Sequence, residues 1–149
     1  MIRIQHEDFD ISSEIESLTA GRTDIGAIVT FTGLVRDLNA GDKVSTLELE
    51  HYPGMTEKEL TRIEAEAHAR WNLQASLIIH RIGKLAPGDN IVLVLTASAH
   101  RGDAFKAAAF LMDYLKTRAP FWKREGDGAS AKWVDARASD DEAAKRWER

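Results

Sequence analysis

The sequence predicts a mixed α+β fold: a mainly antiparallel sheet, two long helices over one face of it, and a small hairpin after the second helix. Three observations carry this reading. Gly26–Arg36, Ser76–Ile82 and Asn90–Ser98 are runs rich in β-branched residues. Glu57–Trp71 and 103–118 carry apolar residues at helical spacing. The 149 residues form one ordinary domain, 1–149, long enough to bury a core without staples.

Taken in order, Ile2–Gln5 reads as a short strand and Ile11–Leu18 as a short helix capped by Asp10 or Ser12. Gly26–Arg36 is a long strand. Asn39-Ala40-Gly41-Asp42 is a turn, and Val44–His51 alternates as the next strand. Thr56-Glu57-Lys58-Glu59 has the form of a capping box, followed by Leu60, Ile63, Ala67 and Trp71 at helical spacing. Ala86-Pro87-Gly88-Asp89 is the turn between the next two strands. Ala104, Ala107, Ala108, Leu111, Met112 and Leu115 mark the buried side of the second long helix. Pro120 ends that helix by disfavouring helical geometry at Ala119. Phe121–Glu125 and Lys132–Val134 read as a hairpin, and Ser139-Asp140-Asp141-Glu142 as a second capping box that opens a terminal helix.

Composition excludes several function classes. There is no cysteine, so a disulfide, a zinc-thiolate site, an iron–sulfur cluster and a thiolate nucleophile are out. The five histidines (His6, His51, His68, His80, His100) show no metal-binding spacing, so no metal is expected. The formal charge of −4 argues against a broad nucleic-acid surface. The N-terminus turns acidic where a signal peptide turns apolar, and no apolar run is long enough to span a bilayer. The expectation is a cytoplasmic protein with neither nucleic-acid nor membrane partners.

Charge is unevenly spread. Residues 100–125 hold six Lys/Arg against three acids, leaving −7 for the rest of the chain. Such a window suits an anionic ligand, or is a solvated face. His100-Arg101 opens the second long helix, where free N–H groups and the positive helix end favour anions. His100 there is either a donor or proton shuttle, or a residue that bonds its own turn. Lys116 in the last turn either complements the helix dipole or acts with Lys123. The reversal at Pro120 lets these two lysines converge on one pocket. There a neighbouring cation lowers a lysine's pKa from about 10.4 and makes it a usable base or nucleophile. Glu125, two residues on, shares a strand face with Lys123. Arg36 ends a strand beside a loop, either at a ligand or in solvent, and Phe31 reads as core.

Several strings together resemble the large, catalytic subunit of molybdopterin synthase. They are Val29-Thr30-Phe31-Thr32-Gly33 with Val35-Arg36, Leu49-Glu50-His51-Tyr52-Pro53-Gly54-Met55, His80-Arg81-Ile82-Gly83, Ser98-Ala99-His100-Arg101, and Asp113 through Glu125. The resemblance runs from about Gly26 to Trp147. It implies an α/β-hammerhead-like fold with a small α+β subdomain. It also implies an enzyme that converts cyclic pyranopterin monophosphate to molybdopterin. Both sulfurs would come from the C-terminal Gly-Gly thiocarboxylate of a small ubiquitin-like partner subunit. Two copies of the large subunit would form the central dimer of a heterotetramer, with no resident cofactor.

Carried over by position, the resemblance makes Lys116 the central catalytic residue, as acid/base or transient acyl acceptor, with Lys123 stabilising charge beside it. His100, Arg101 and Arg36 would hold the phosphate. Arg124 and Glu125 would line the pocket, and Leu34 and Val35 would contact substrate through backbone. Phe31 and Met112 would shape the tail channel, and Arg137 would assist from a neighbouring chain. Asp37, Gly102 and Leu34 depart from the family's usual residues without removing a proposed catalytic group. The rival readings are a non-catalytic binding module for a phosphorylated metabolite, a Schiff-base lysine enzyme and a scaffold subunit.

Overall fold

The computed structural model describes residues 1–39, 42–43, 46–126, 132–134 and 138–148. The chain order is β1 Ile2–Gln5, α1 Ile11–Thr19, β2 Ala27–Leu34, β3 Leu38–Asn39, β4 Asp42–Lys43, β5 Thr46–His51 and α2 Met55–Arg70. There follow β6 Leu73–Arg81, β7 Gly83–Leu85, β8 Asn90–Ser98, α3 Arg101–Thr117, β9 Phe121–Gly126, β10 Lys132–Val134 and α4 Ala138–Lys145.

The strands form two four-stranded sheets, β1-β6-β8-β2 and β10-β9-β5-β7, with β3 and β4 as a separate pair. Among the described residues every pairing is antiparallel except β1 with β6. The mixed, mainly antiparallel α+β class therefore stands, but divided between two sheets. The run read as Ser76–Ile82 belongs to the first sheet up to Arg81. Gly83 then turns the chain, at φ 92, into the second sheet. A side chain on Gly83 would also meet the His6 ring at 2.8 Å.

Helices cover both faces of the first sheet, not one as expected. Val92, Val94 and Ile78 face α2 and α3 through Leu60, Ile63, Ala67, Phe110, Leu111, Tyr114 and Leu115. Leu93, Leu95, Ala97, Leu77 and Ile79 face the other way, against Ile11, Ile15 and Leu18 of α1. The cause is visible in β6 and β8. Their apolar runs are continuous, as in strands buried on both sides, so a second covering layer is required.

Helix starts differ from the expected boxes. Asp10 does cap α1, its Oδ1 accepting from the Ser13 N–H at 3.0 Å. On α2 the cap is Gly54, whose N–H donates to Glu57 Oε1 at 3.3 Å. Thr56 is inside that helix and fully buried. Its hydroxyl accepts from the Tyr52 N–H at 2.8 Å and donates to the Pro120 carbonyl at 2.9 Å. α4 begins at Ala138, one residue before the expected cap Ser139. Trp147 Nε1 donates to Asp113 of α3 at 2.6 Å and ties the C-terminal segment down.

Candidate active site

β8 leads directly into α3, which runs back over the sheet, so the C-terminal end of α3 lies where β8 begins and β2 ends. α3 closes with the Arg118 N–H on the Tyr114 carbonyl at 2.8 Å. The Phe121 N–H then bonds the Ala119 carbonyl at 2.9 Å, and Thr56 holds Pro120 from α2. The chain therefore reverses as the proline required, and β9 pairs with β5 in the register His51 opposite Phe121 and Leu49 opposite Lys123.

Directly opposed residues of an antiparallel pair share a face. Leu49, His51, Phe121 and Lys123 thus lie on one face of the second sheet, and Glu48, Glu50, Trp122 and Arg124 on the other. Arg124 is exposed, opposite Glu48, which also pairs with Lys84. Strand alternation sends the Arg124 side chain to the face opposite that of Lys123. The side chain of Glu125 and all of Arg137 lie outside the described residues.

The charges of Lys116, exposed on α3, and Lys123, half-buried on β9, both act on His80. Burial of that imidazole pulls its pKa from 6.5 down to about 4. A hydrogen bond to the Arg81 carbonyl opposes the shift, while the charges of Lys116, Lys123 and His51 deepen it. The ring stacks on Phe121 with centroids 3.8 Å apart. Two cations on different elements, α3 and β9, therefore act on one buried group.

Other candidates divide by position. Arg36 is exposed at the same end of the molecule, and Val35, Arg36, Asp37, Pro87 and Gly88 line an open cleft of about 460 Å³. Val35 is buried. Its N–H donates to the Asp89 carbonyl at 2.9 Å, and its carbonyl accepts from the Gly88 N–H at 2.7 Å. Both backbone groups of Val35 thus hold the 86–89 turn, where the expected backbone contact with substrate would be made. Leu34 is half-exposed at the end of β2.

Phe31 is 41% exposed on the edge strand β2, not core, because no strand pairs with the outer side of β2 among the described residues. It stands opposite Val94, on the face that α3 covers. Its ring leans over Gly33, where a Cβ would lie 3.5 Å from it and 2.9 Å from Val92 Cγ1. Met112 of α3 packs half-buried against the same core. Met112 stands one turn before Lys116 on α3, and Phe31 lies on the sheet face that α3 covers.

His100 and Arg101 are exposed at the other end. His100 is the N-cap of α3 and Arg101 its first residue. At 1.5 Å per residue, His100 is about 24 Å along the helix from Lys116. Within one chain the structure does not bring them to the lysines.

His80, His51 and Phe121 were missed as site residues. Their signal was present: one histidine ends the apolar run Leu77-Ile78-Ile79, and the strand after Pro120 begins with an aromatic residue. Neither singles out a role until β6 and β9 are seen to touch.

Among the described residues, no helix is long and apolar enough to cross a membrane, and no group of three or more His, Asp or Glu assembles as a metal site. The model of the MoaE protein family matches residues 4–118. The molybdopterin synthase catalytic subunit of Mesorhizobium japonicum is 60% identical over 148 residues, covering 98% of this chain and 92% of its own. The solved molybdopterin biosynthesis MoaE protein from Burkholderia ambifaria superposes with a TM-score of 0.86 at 52% identity, covering 100% and 98% of the two chains. The solved molybdopterin synthase from Staphylococcus aureus gives 0.81 at 35% identity, covering 89% and 95%. With the match extending along nearly the whole chain in both sequence and fold, the protein belongs to the MoaE family, that of molybdopterin synthase catalytic subunits.

Proposed function

We propose that this chain installs the dithiolene sulfurs of molybdopterin. It takes each sulfur from the C-terminal thiocarboxylate of a small ubiquitin-like subunit and gives it to a carbon of cyclic pyranopterin monophosphate. The observation that carries the reading is that Lys116 at the end of α3 and Lys123 just past the Pro120 reversal both place their charge on one buried residue, His80. Both reactants are anions, and two ammonium groups at the end of one helix hold such charges together. The chain has no cysteine to carry sulfur itself, so the sulfur must arrive on a partner.

In each delivery, the bond from sulfur to the acyl carbon breaks, a bond from sulfur to a side-chain carbon of the pterin forms, and that carbon gives up its bond to oxygen, the oxygen leaving with the phosphate or as water. Lys116 acts at the acyl carbon, either as acid/base or by accepting the acyl group, and water then returns the tail as a carboxylate. Lys123 stabilises the negative charge that develops. Phe31 and Met112 guide the tail along α3. Arg36 binds phosphate from its own chain. His100 and Arg101 reach the same substrate from the second copy of a central dimer, since about 24 Å of helix separates them from Lys116 in their own. The reaction needs no resident metal or cofactor and takes place in the cytoplasm.

The test mixes the chain with thiocarboxylated small subunit and the cyclic pyranopterin, and measures molybdopterin as its oxidised fluorescent derivative. Lys116→Ala lowers the rate about 10²–10⁴-fold, and Lys123→Ala lowers it less. A Lys116→Ala variant at wild-type rate refutes the assignment. A variant that loses affinity but keeps turnover makes the site a binding site only.

A further inference from the structure

Asp113 has no part in the chemistry above. It stands three residues before Lys116 on α3, about 4.5 Å along the axis and on the same flank of the helix. An acid placed N-terminal to a lysine at this spacing is well set to pair with it. The Asp113 side chain is only 14% exposed, and it is engaged from elsewhere. Its Oδ2 accepts from Arg146 Nε at 3.0 Å, from Arg146 Nη2 at 2.6 Å and from Trp147 Nε1 at 2.6 Å. All three donors belong to the turn that follows α4.

That turn has a seat of its own. The Trp147 ring meets Trp71, at the end of α2, edge-on with centroids 5.4 Å apart, and Phe110 of α3 at 5.7 Å. Ala144 is buried in the same core, and its carbonyl accepts from the Trp147 N–H at 3.1 Å. Arg146 lies outside this aromatic slot, more than half exposed, with its guanidinium 5.0 Å from the Trp147 ring centroid. The slot holds the turn, and Arg146 adds to it a positive charge set directly on Asp113.

We propose that Arg146 is a positioning residue for Lys116: it matches the charge of Asp113 and so keeps that carboxylate from claiming the ammonium group one turn further along α3. The inference rests on the sulfur-transfer reading of Lys116. A carboxylate at 113 makes a stronger anchor for the turn than a neutral acceptor does. Left unmatched, the same carboxylate would draw the Lys116 side chain back along the helix and cancel the charge that two anionic reactants require. The Arg146 guanidinium removes this competitor and keeps the anchor. Ion pairs on a helix surface are weak, so its loss slows the reaction and does not abolish it.

Three variants and one labelling experiment test this. Arg146→Ala removes the cation and two of the three bonds, while Trp147 stays in its slot. Arg146→Lys keeps the cation. Asp113→Asn combined with Arg146→Ala keeps an acceptor oxygen but leaves no charge to be matched. In single-turnover molybdopterin synthesis, Arg146→Ala loses about three- to fivefold in rate, and both Arg146→Lys and the double variant recover most of it. A turn that only braces the fold gives a different pattern, in which the double variant loses at least as much as Arg146→Ala. That pattern, or a wild-type rate in Arg146→Ala, overturns the proposal. Amine labelling by the anionic reagent trinitrobenzenesulfonate, read by mass spectrometry with Lys123 as the internal reference, follows Lys116 without any turnover. Lys116 labels more slowly in Arg146→Ala and at the wild-type rate in the double variant, because an unmatched carboxylate holds the ammonium form and repels the reagent. A ratio of Lys116 to Lys123 labelling that Arg146→Ala leaves unchanged overturns the proposal. Should the wild type make no molybdopterin, the sulfur-transfer reading fails, while the labelling still decides whether Arg146 governs Lys116 through Asp113.

Discussion

Lys123 and Arg124 are neighbours in sequence but face opposite sides of β9. The resemblance assigns both to the pocket, while alternation turns only one of them, Lys123, to the face that His51 and Phe121 share. Arg124→Ala is therefore expected to keep a turnover close to wild type in the fluorescence assay, while Lys123→Ala does not. A deep loss in Arg124→Ala means that its side chain meets substrate from the other face. His80 supplies a second prediction at this scale. Burial holds its folded pKa at about 4, below the usual 6.5. Between those two values the unfolded chain takes up a proton that the folded chain refuses. The contribution to stability is complete above pH 6.5 and is lost as pH falls toward 4, by about 3 kcal/mol. Urea unfolding at pH 7.5, 5.5 and 4.5 reads this slope, and His80→Phe flattens it. Asp8, Asp24 and Glu59 have pKa values lowered chiefly by side-chain bonds to Asn90, Arg22 and Arg62. Their contribution is lost only as pH falls below the ordinary 3.8 to 4.5.

At the scale of elements, the site depends on how α3 hands over to β9. Pro120 stops the helix, but the direction of departure is set by Thr56 on α2, whose hydroxyl joins the Tyr52 amide to the Pro120 carbonyl. Thr56→Val is nearly isosteric and leaves both part-buried partners without this bond, which costs about 1 kcal/mol. The urea midpoint should fall accordingly. Turnover should fall more than in Thr56→Ser, which keeps the hydroxyl. If both variants lose turnover equally, the turn is not what positions Lys123. The helix was legible from Ala104 to Leu115 because its apolar spacing is regular. The capping boxes at Thr56 and Ser139 were misplaced because a cap is a local pattern that several nearby residues satisfy, and burial of Thr56 decided between them.

For the whole molecule, α3 is both a connector and a separator. Its C-terminal end carries Lys116 beside Lys123, and its N-terminal end carries His100 and Arg101. In a twofold dimer that joins opposite ends, each site takes Lys116 from one copy and His100 from the other. Neither Lys116→Ala nor His100→Ala is then active alone. Mixing them after unfolding and reassociation restores about a quarter of wild-type activity, because half of the dimers are mixed and each holds one intact site. No recovery on mixing places His100 outside the shared site.

The order of the long strands and helices, the two lysines flanking a proline and the absence of any thiol follow from the sequence alone, because periodicity, turn chemistry and composition are local properties, while the short strands β3, β4 and β7 did not. The outcome at Pro120 also followed, since a residue that blocks a helix forces the chain to turn. What tertiary structure alone decided is which distant segments touch. His80 and Phe121 are 41 positions apart in sequence and 3.8 Å apart in space. The division into two sheets, the exposure of Phe31 on an edge strand and the wide separation of His100 from Lys116 were decided there too. Each depends on long-range pairing, in which the burial of continuous apolar strands on two faces outweighs every local preference.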